Sequence, residues 1–210
     1  MADFTFPGAV DVRGDLTIRG SILPAITRTQ FAQNDAQVYQ IQLSSAKVWD
    51  AAQNSLPSAG AADDLGLETG TWGTDVPHIS TGDLKAAGAT TRYCLFELVL
   101  PPEYVAGQTV TLRISSGMET TVSDTTSTID VEAYLASRDG TVDGADICET
   151  DAQSNNSLTF AGLSFTFSAT NCDPGDQLFV RIAAAVNDAA TGTAVISTIG
   201  AVELLLDTQG

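Results

Sequence analysis

Tyr93-Cys94-Leu95-Phe96-Glu97-Leu98-Val99-Leu100 is the stretch on which the fold turns. Cys94, Phe96, Leu98 and Leu100 share one parity, which is the spacing that puts them on one side of an extended strand. Pro101-Pro102 ends the run, because proline offers no donor to a β-ladder. Just downstream, Val110, Leu112 and Ile114 alternate with Thr111 and Arg113, and then Ile129, Val131, Ala133 and Leu135 alternate with Asp130, Glu132 and Tyr134. Such runs predict half-buried strands of antiparallel sheets.

The pattern continues toward the C-terminus. Leu158 and Phe160 share one parity while Leu163, Phe165 and Phe167 share the other, and Gly162 at the change predicts a β-bulge. Asp173-Pro174-Gly175-Asp176 is a turn signal leading into Leu178, Val180, Ile182 and Ala184, which alternate with Phe179 and Arg181. A last strand is expected over residues 194–206, apolar on both faces near its end and therefore covered. Residues 44–53 offer at most one short helical turn, with Ser45 as its cap. The fold class is all-β, an antiparallel sandwich of jelly-roll type, with an extended N-terminal β arm.

Two segments depart from this alternation. Residues 56–89 are rich in Gly, Ala, Thr and Asp, and so long a connection is usually functional or partner-bound. Residues 9–22 carry the apolar Val10, Val12, Leu16, Ile18 and Ile22, with Gly14 and Gly20 six residues apart, and Pro24 follows. A short apolar hairpin of this kind is marginal alone and must bury its face against its own sandwich or a neighbouring subunit. The chain therefore divides into an assembly arm, residues 1–30, and a sandwich domain, residues 31–210.

Composition narrows the functions. Hydrophobic residues make up 43% of the 210 and charged ones 17%, so a packed core is expected. Asp and Glu number 26 against 9 Lys and Arg, a formal net charge of -17. That surface repels phosphate backbones and resists aggregation, so no nucleic-acid partner is expected. No run approaches the roughly 18 apolar residues of a membrane helix, and residues 1–7 lack the basic and apolar regions of a secretory signal. Synthesis in the cytoplasm, with no membrane partner, is expected.

Catalytic chemistry finds little support. His78 is the single histidine, and nothing near it resembles a nucleophile elbow, so it reads as a structural loop residue. The three cysteines lack metal-ligand spacing. Cys94 reads as a small core residue, whereas Cys148 and Cys172 flank a polar loop and could pair. Closing that loop of about 24 residues would contribute roughly 3 kcal/mol. Asp139-Gly140-Thr141-Val142-Asp143-Gly144-Ala145-Asp146 partly matches a calcium loop, but Thr150 stands where the bidentate Glu belongs and no helices flank it. Arg13-Gly14-Asp15 is a chance-level tripeptide inside a strand pattern. Trp49, Trp72 and Tyr104 would make a sugar-binding platform if they shared an exposed face. The expectation is a protein with no catalytic residue, no cofactor and no metal.

Four runs resemble structural proteins of tailed bacteriophages: V-D-V-R-G-D-L-T-I-R-G-S-I (10–22), A-D-D-L-G-L-E-T-G-T-W-G-T-D-V-P-H-I (62–79) with D-L-K-A-A-G-A-T-T-R-Y (83–93), L-P-P-E-Y-V-A-G-Q-T-V-T-L-R-I (100–114), and C-D-P-G-D-Q-L-F-V-R-I (172–182). The resemblance implies a jelly-roll virion protein on the capsid surface, a decoration or cement protein that binds the major capsid protein, stabilises the phage head and assembles as a homotrimer. The alternatives it leaves open are a head- or tail-fibre module that binds a receptor or carbohydrate, and a tail component. The resemblance assigns no active-site residues.

Overall fold

The computed structural model describes residues 35–85, 88–120, 125–137, 139–170, 172–188 and 193–208. These fall in one compact unit spanning Asn34–Gly210. The arm residues Val10, Val12, Leu16, Ile18 and Ile22 lie outside the described residues, as does Arg13-Gly14-Asp15.

Thirteen strands are described: β1 (Asp35–Ile41), β2 (Lys47–Val48), β3 (Ala51–Ser55), β4 (Gly66–Glu68), β5 (His78–Ser80), β6 (Gly88–Val99), β7 (Val110–Met118), β8 (Thr125–Ala136), β9 (Val142–Asp143), β10 (Gln153–Ser154), β11 (Ala161–Phe167), β12 (Gln177–Asp188) and β13 (Ser197–Thr208). One sheet runs β11-β7-β13-β5-β4, with β1 also paired to β13. The other runs β10-β8-β12-β6-β2-β3, with β9 also paired to β8. The pairings between named strands are antiparallel, and β6, β7, β8, β11, β12 and β13 fall alternately in the two sheets. That alternation is the jelly-roll winding, so the sandwich and its type both follow the sequence pattern.

Alternation dictates the core. From one sheet, Cys94, Phe96 and Leu98 of β6, Ile129, Val131 and Ala133 of β8, and Leu178, Val180 and Ile182 of β12 point inward. From the other come Val110, Leu112 and Ile114 of β7, Phe165 and Phe167 of β11, and Val202, Leu204 and Leu206 of β13. Each large apolar side chain buried this way contributes about 1.5–3 kcal/mol. β12 is paired to β6 over its full length and to β8 from Leu178 to Asp188. It is the central strand that fixes the outward-facing rows described below.

Four expectations are corrected. No bulge occurs at Gly162: the ladder runs unbroken from Ala161 opposite Ser116 to Phe167 opposite Val110. The parity change arises because Phe160 simply points outward, over Gly117 and Gly200, and the register shift lies instead in β13 between Ile199 and Ala201. Residues 56–89 are not one long connection, since β4 and β5 extend the β13 sheet there. The last strand begins and ends later than 194–206, at Ser197 and Thr208. The one short turn expected near residues 44–53 is a 3-10 turn, Leu43–Ser45, but Ser45 is its last residue and not its cap: Gln42 holds the N-cap position, the Ser45 hydroxyl donates back to the Gln42 carbonyl oxygen, and the β2–β3 hairpin follows.

Candidate functional site

Because β12 alternates, its residues Arg181, Ala183 and Ala185 face away from the core. Register places Ala185 between Thr91 of β6 and Thr128 of β8, and Ala183 between Tyr93 and Asp130. Arg181 faces Glu132 across the β12–β8 ladder. A floor of two alanines flanked by taller side chains makes a trough along β12. The cleft measures about 350 Å³ and takes Ala152 as a further lining residue.

One end of the trough is aromatic. Trp49 opens the two-residue turn between β2 and β3, and its ring centroid lies 5.2 Å from that of Tyr93, tilted by 48°. The guanidinium carbon of Arg181 lies 5.2 Å from the Trp49 centroid and 4.9 Å from that of Tyr93. On its other side, Arg181 Nη2 donates to Glu132 Oε2 at 2.5 Å. Cation–π and ion-pair contacts thus hold the guanidinium between two rings and a carboxylate.

The residues after β3 brace this end. Trp49 Nε1 donates to Asp63 Oδ2 at 3.2 Å, and the Tyr93 amide donates to the Asp63 carbonyl oxygen at 2.8 Å. Ala61 and Asp64 exchange backbone bonds of 3.0 and 2.8 Å around Ala62, whose φ is +49°. A non-glycine residue in that region is strained. The Ala62 carbonyl oxygen accepts from Arg92 Nε at 3.1 Å, so the strained turn is tied to β6 one residue before Tyr93. Burial, with the Asp63 and Asp50 charges, raises the Asp64 carboxyl above its ordinary range.

Chemically the trough offers ring faces at one end and hydrogen-bonding groups along its sides. A pyranose presents the complement, a face of C–H groups and a rim of hydroxyls that both donate and accept. Asp130 and Glu132 can accept, Thr91 and Thr128 can do either, and Arg181 donates.

The sequence-predicted trio is not brought together. Tyr104 is buried at 1% exposure, its hydroxyl donating to the Gln108 carbonyl oxygen at 2.5 Å, and burial pushes its pKa up to about 12. Trp72 is 98% exposed on a turn closed by the Asp75 amide donating to the Thr71 carbonyl oxygen at 2.9 Å. Of the three, only Trp49 touches residues that line the trough, Tyr93 and Arg181. Tyr93, Asp130, Glu132 and Arg181 were visible in the sequence as the polar side of alternating strands. What pattern alone could not supply was the cross-strand register that sets them around Ala183 and Ala185.

The remaining candidates are placed as follows. His78 lies in β5, with Nδ1 3.1 Å from the Val76 carbonyl oxygen and Nε2 4.0 Å from Glu68 Oε2. Cys148 and Cys172 stand as free thiols, near the carbonyl oxygens of Thr150 and Ser168 respectively. Asp139 Oδ1 accepts from the Thr141 hydroxyl and Asp146 Oδ1 from the amides of Ala133 and Cys148, so two of the three acids of that loop, Asp139 and Asp146, are engaged within the chain. Among the described residues no group of His, Cys, Asp and Glu is arranged to hold a metal ion.

No protein-family model and no curated protein matches the sequence. Among solved structures, the xylan-binding module CBM15 is similar over 84% of this chain and 100% of its own, at 12% identity and a TM-score of 0.43. A xylan-binding domain from Paenibacillus barcinonensis is similar over 73% of this chain and 92% of its own, at 10% identity and a TM-score of 0.38. An apo-form cyclase from Fischerella sp. covers 90% and 93%, at 13% identity and a TM-score of 0.35. Likenesses this distant carry no functional argument, which rests on the trough itself.

Proposed function

We propose that the chain is a carbohydrate-binding module whose ligand lies in the β12 trough, against Trp49 and Tyr93. The observation that carries this reading is the alanine floor, Ala183 and Ala185, walled by Tyr93 at one end, with Trp49 packed against that ring, and by Thr, Asp, Glu and Arg side chains along its length. Ring stacking supplies affinity and the polar walls supply orientation. Binding without turnover is the proposal, since the trough is built for recognition and His78 lies on the other sheet. A glycan array followed by titration calorimetry tests it. Trp49→Ala and Tyr93→Ala are each expected to weaken binding at least tenfold, about 1.4 kcal/mol, with the fold intact by circular dichroism. Retention of full affinity by both variants would remove the trough from the mechanism.

The virion setting is a separate proposal, drawn from the resemblance. In it the sandwich is carried on a phage particle, as the receptor- or glycan-binding module of a fibre or as a homotrimeric decoration protein anchored to the major capsid protein through residues 1–30. Electron microscopy of the native particle, with this density located, tests that setting. Deletion of residues 1–22 with capsid binding retained would dismiss the arm.

A further inference from the structure

We propose that Glu132 is the specificity-determining residue of the trough, and that by pairing with Arg181 it restricts the ligand to uncharged glycans. The inference rests on the carbohydrate-binding reading above.

The charges around the trough carry it. Among the described residues lining the cleft, Arg181 is the one cation, against two carboxylates, Asp130 and Glu132. Its charge is already engaged. Nη2 is 2.5 Å from Glu132 Oε2, and the guanidinium carbon lies about equally close to the Trp49 and Tyr93 rings, at 5.2 and 4.9 Å. Asp63 accepts from the Trp49 indole, and Asp50 follows Trp49 in the turn. A sugar carboxylate or sulfate that reached Arg181 would either displace Glu132, leaving it unpaired beside Asp130, or share a cation that Glu132 already neutralises. Either way it would add an anion beside two carboxylates on a chain of net charge -17. A hydroxyl meets no such penalty. It can donate to Asp130 or to the second oxygen of Glu132, and accept from the N–H groups of Arg181 that the ion pair leaves over.

Glu132 projects from the outer face with its side chain 35% exposed, and Arg181 likewise at 29%. Exchange of the carboxylate for an amide therefore leaves the core untouched. Glu132→Gln keeps a carbonyl oxygen to accept from Arg181 but removes the competing charge, so the guanidinium becomes available to an anionic ligand.

The test uses the full chain on an array of neutral, uronate, sulfated and sialylated glycans. Titration then compares the strongest neutral ligand with an oligogalacturonate of equal length. Measurements are made at 0.15 M salt and at 1 M, where screening shortens to about 3 Å and long-range repulsion is removed. The expected result is neutral binding that is insensitive to salt, with no oligogalacturonate binding at either salt concentration. Glu132→Gln is expected to raise oligogalacturonate affinity at least tenfold and so to narrow or reverse the preference for the neutral ligand. Wild-type protein binding oligogalacturonate as tightly as the neutral ligand would overturn the inference, as would a Glu132→Gln variant that still refuses it. In both cases the carbohydrate-binding reading would survive. Failure of the wild-type chain to bind any glycan on the array would sink the reading and the inference together.

Discussion

The indole of Trp49 and the carboxylate of Asp63 meet at 3.2 Å, and this single bond ties the aromatic end of the trough to the turn that follows β3. The two residues are 14 apart in sequence. The same Asp63 receives the Tyr93 amide on its backbone oxygen, so one residue orients both rings. Removing its side chain frees the indole without touching the core. Asp63→Ala is expected to weaken glycan binding about three- to tenfold, as for the loss of one hydrogen bond worth about 0.5–1.5 kcal/mol. Asp63→Asn retains an acceptor and is expected to recover most of that loss. Calorimetric titration of both variants checks the pair, and equal affinities for all three proteins would show that the ring needs no brace.

Gly60 supports this brace from beneath. A β-carbon there would stand 2.2 Å from the Thr81 carbonyl oxygen and 2.7 Å from an Arg92 side-chain nitrogen. The first contact is with backbone, which cannot swing aside. Gly60→Ala is therefore expected to cost about 3 kcal/mol or more, at the upper end of overpacking effects. Because the displaced segment leads into Asp63, glycan binding should fall with stability. Urea unfolding measures the first effect and calorimetry the second. A variant of unchanged midpoint would mean that this close approach is relieved elsewhere.

The sandwich was legible because its strands announce themselves. In β8 and β12 almost every second residue is apolar, and hydrophobic burial leaves one way to orient such a strand. Phe160 shows where the rule misleads: parity alone could not tell an outward ring resting over Gly117 and Gly200 from an inward ring that needs a bulge. The short strands β4 and β5 were hidden because three residues are too few to show a period. The trough was half legible. Its side chains stood out as the polar parity of known strands, but their assembly depends on β12 lying between β6 and β8, a neighbour relation that spans about 50–90 positions of sequence. For a similar reason the sequence left open whether Tyr104 shared an exposed face with Trp49 and Trp72; it pairs with Thr208 and lies inside.

Cys148 gives a pH dependence of known sign. Burial, reinforced by the Asp146, Asp130 and Glu149 carboxylates, pushes its thiol up to about 11, against a contact with the Thr150 backbone that works the other way. The folded chain therefore holds a proton that the unfolded chain releases near 9.0. Stability from this thiol is full below that value and is lost as pH rises through about 11. Since only the thiolate reacts, Cys148 is expected to label slowly with a disulfide reagent at pH 7.5, and to speed up about tenfold per pH unit through pH 8–10. Pairing with Cys172, whose thiol is also raised by burial and by Asp176 and Asp173, should be slow on the same account. Rapid labelling of the native protein at neutral pH would contradict the burial of this sulfur.

Ala185 tests the trough by filling it. Its side chain points away from the core, between Thr91 and Thr128, while its strand neighbours Ala184 and Val186 point in. Ala185→Leu adds three carbons to the floor and leaves the buried layer as it was. Stability should then stay within about 0.5 kcal/mol of wild type, the usual range for an outward position. Glycan affinity, in contrast, should fall at least tenfold, because the ring that stacks on Tyr93 would have to sit over the new side chain. Ala185→Ser nearly preserves volume and should bind within about twofold of wild type, which separates filling from mere substitution. Unfolding curves and titrations on the three proteins decide the matter. If the leucine variant binds as wild type does, the ligand does not enter between β6 and β8, and the aromatic end alone would have to account for recognition.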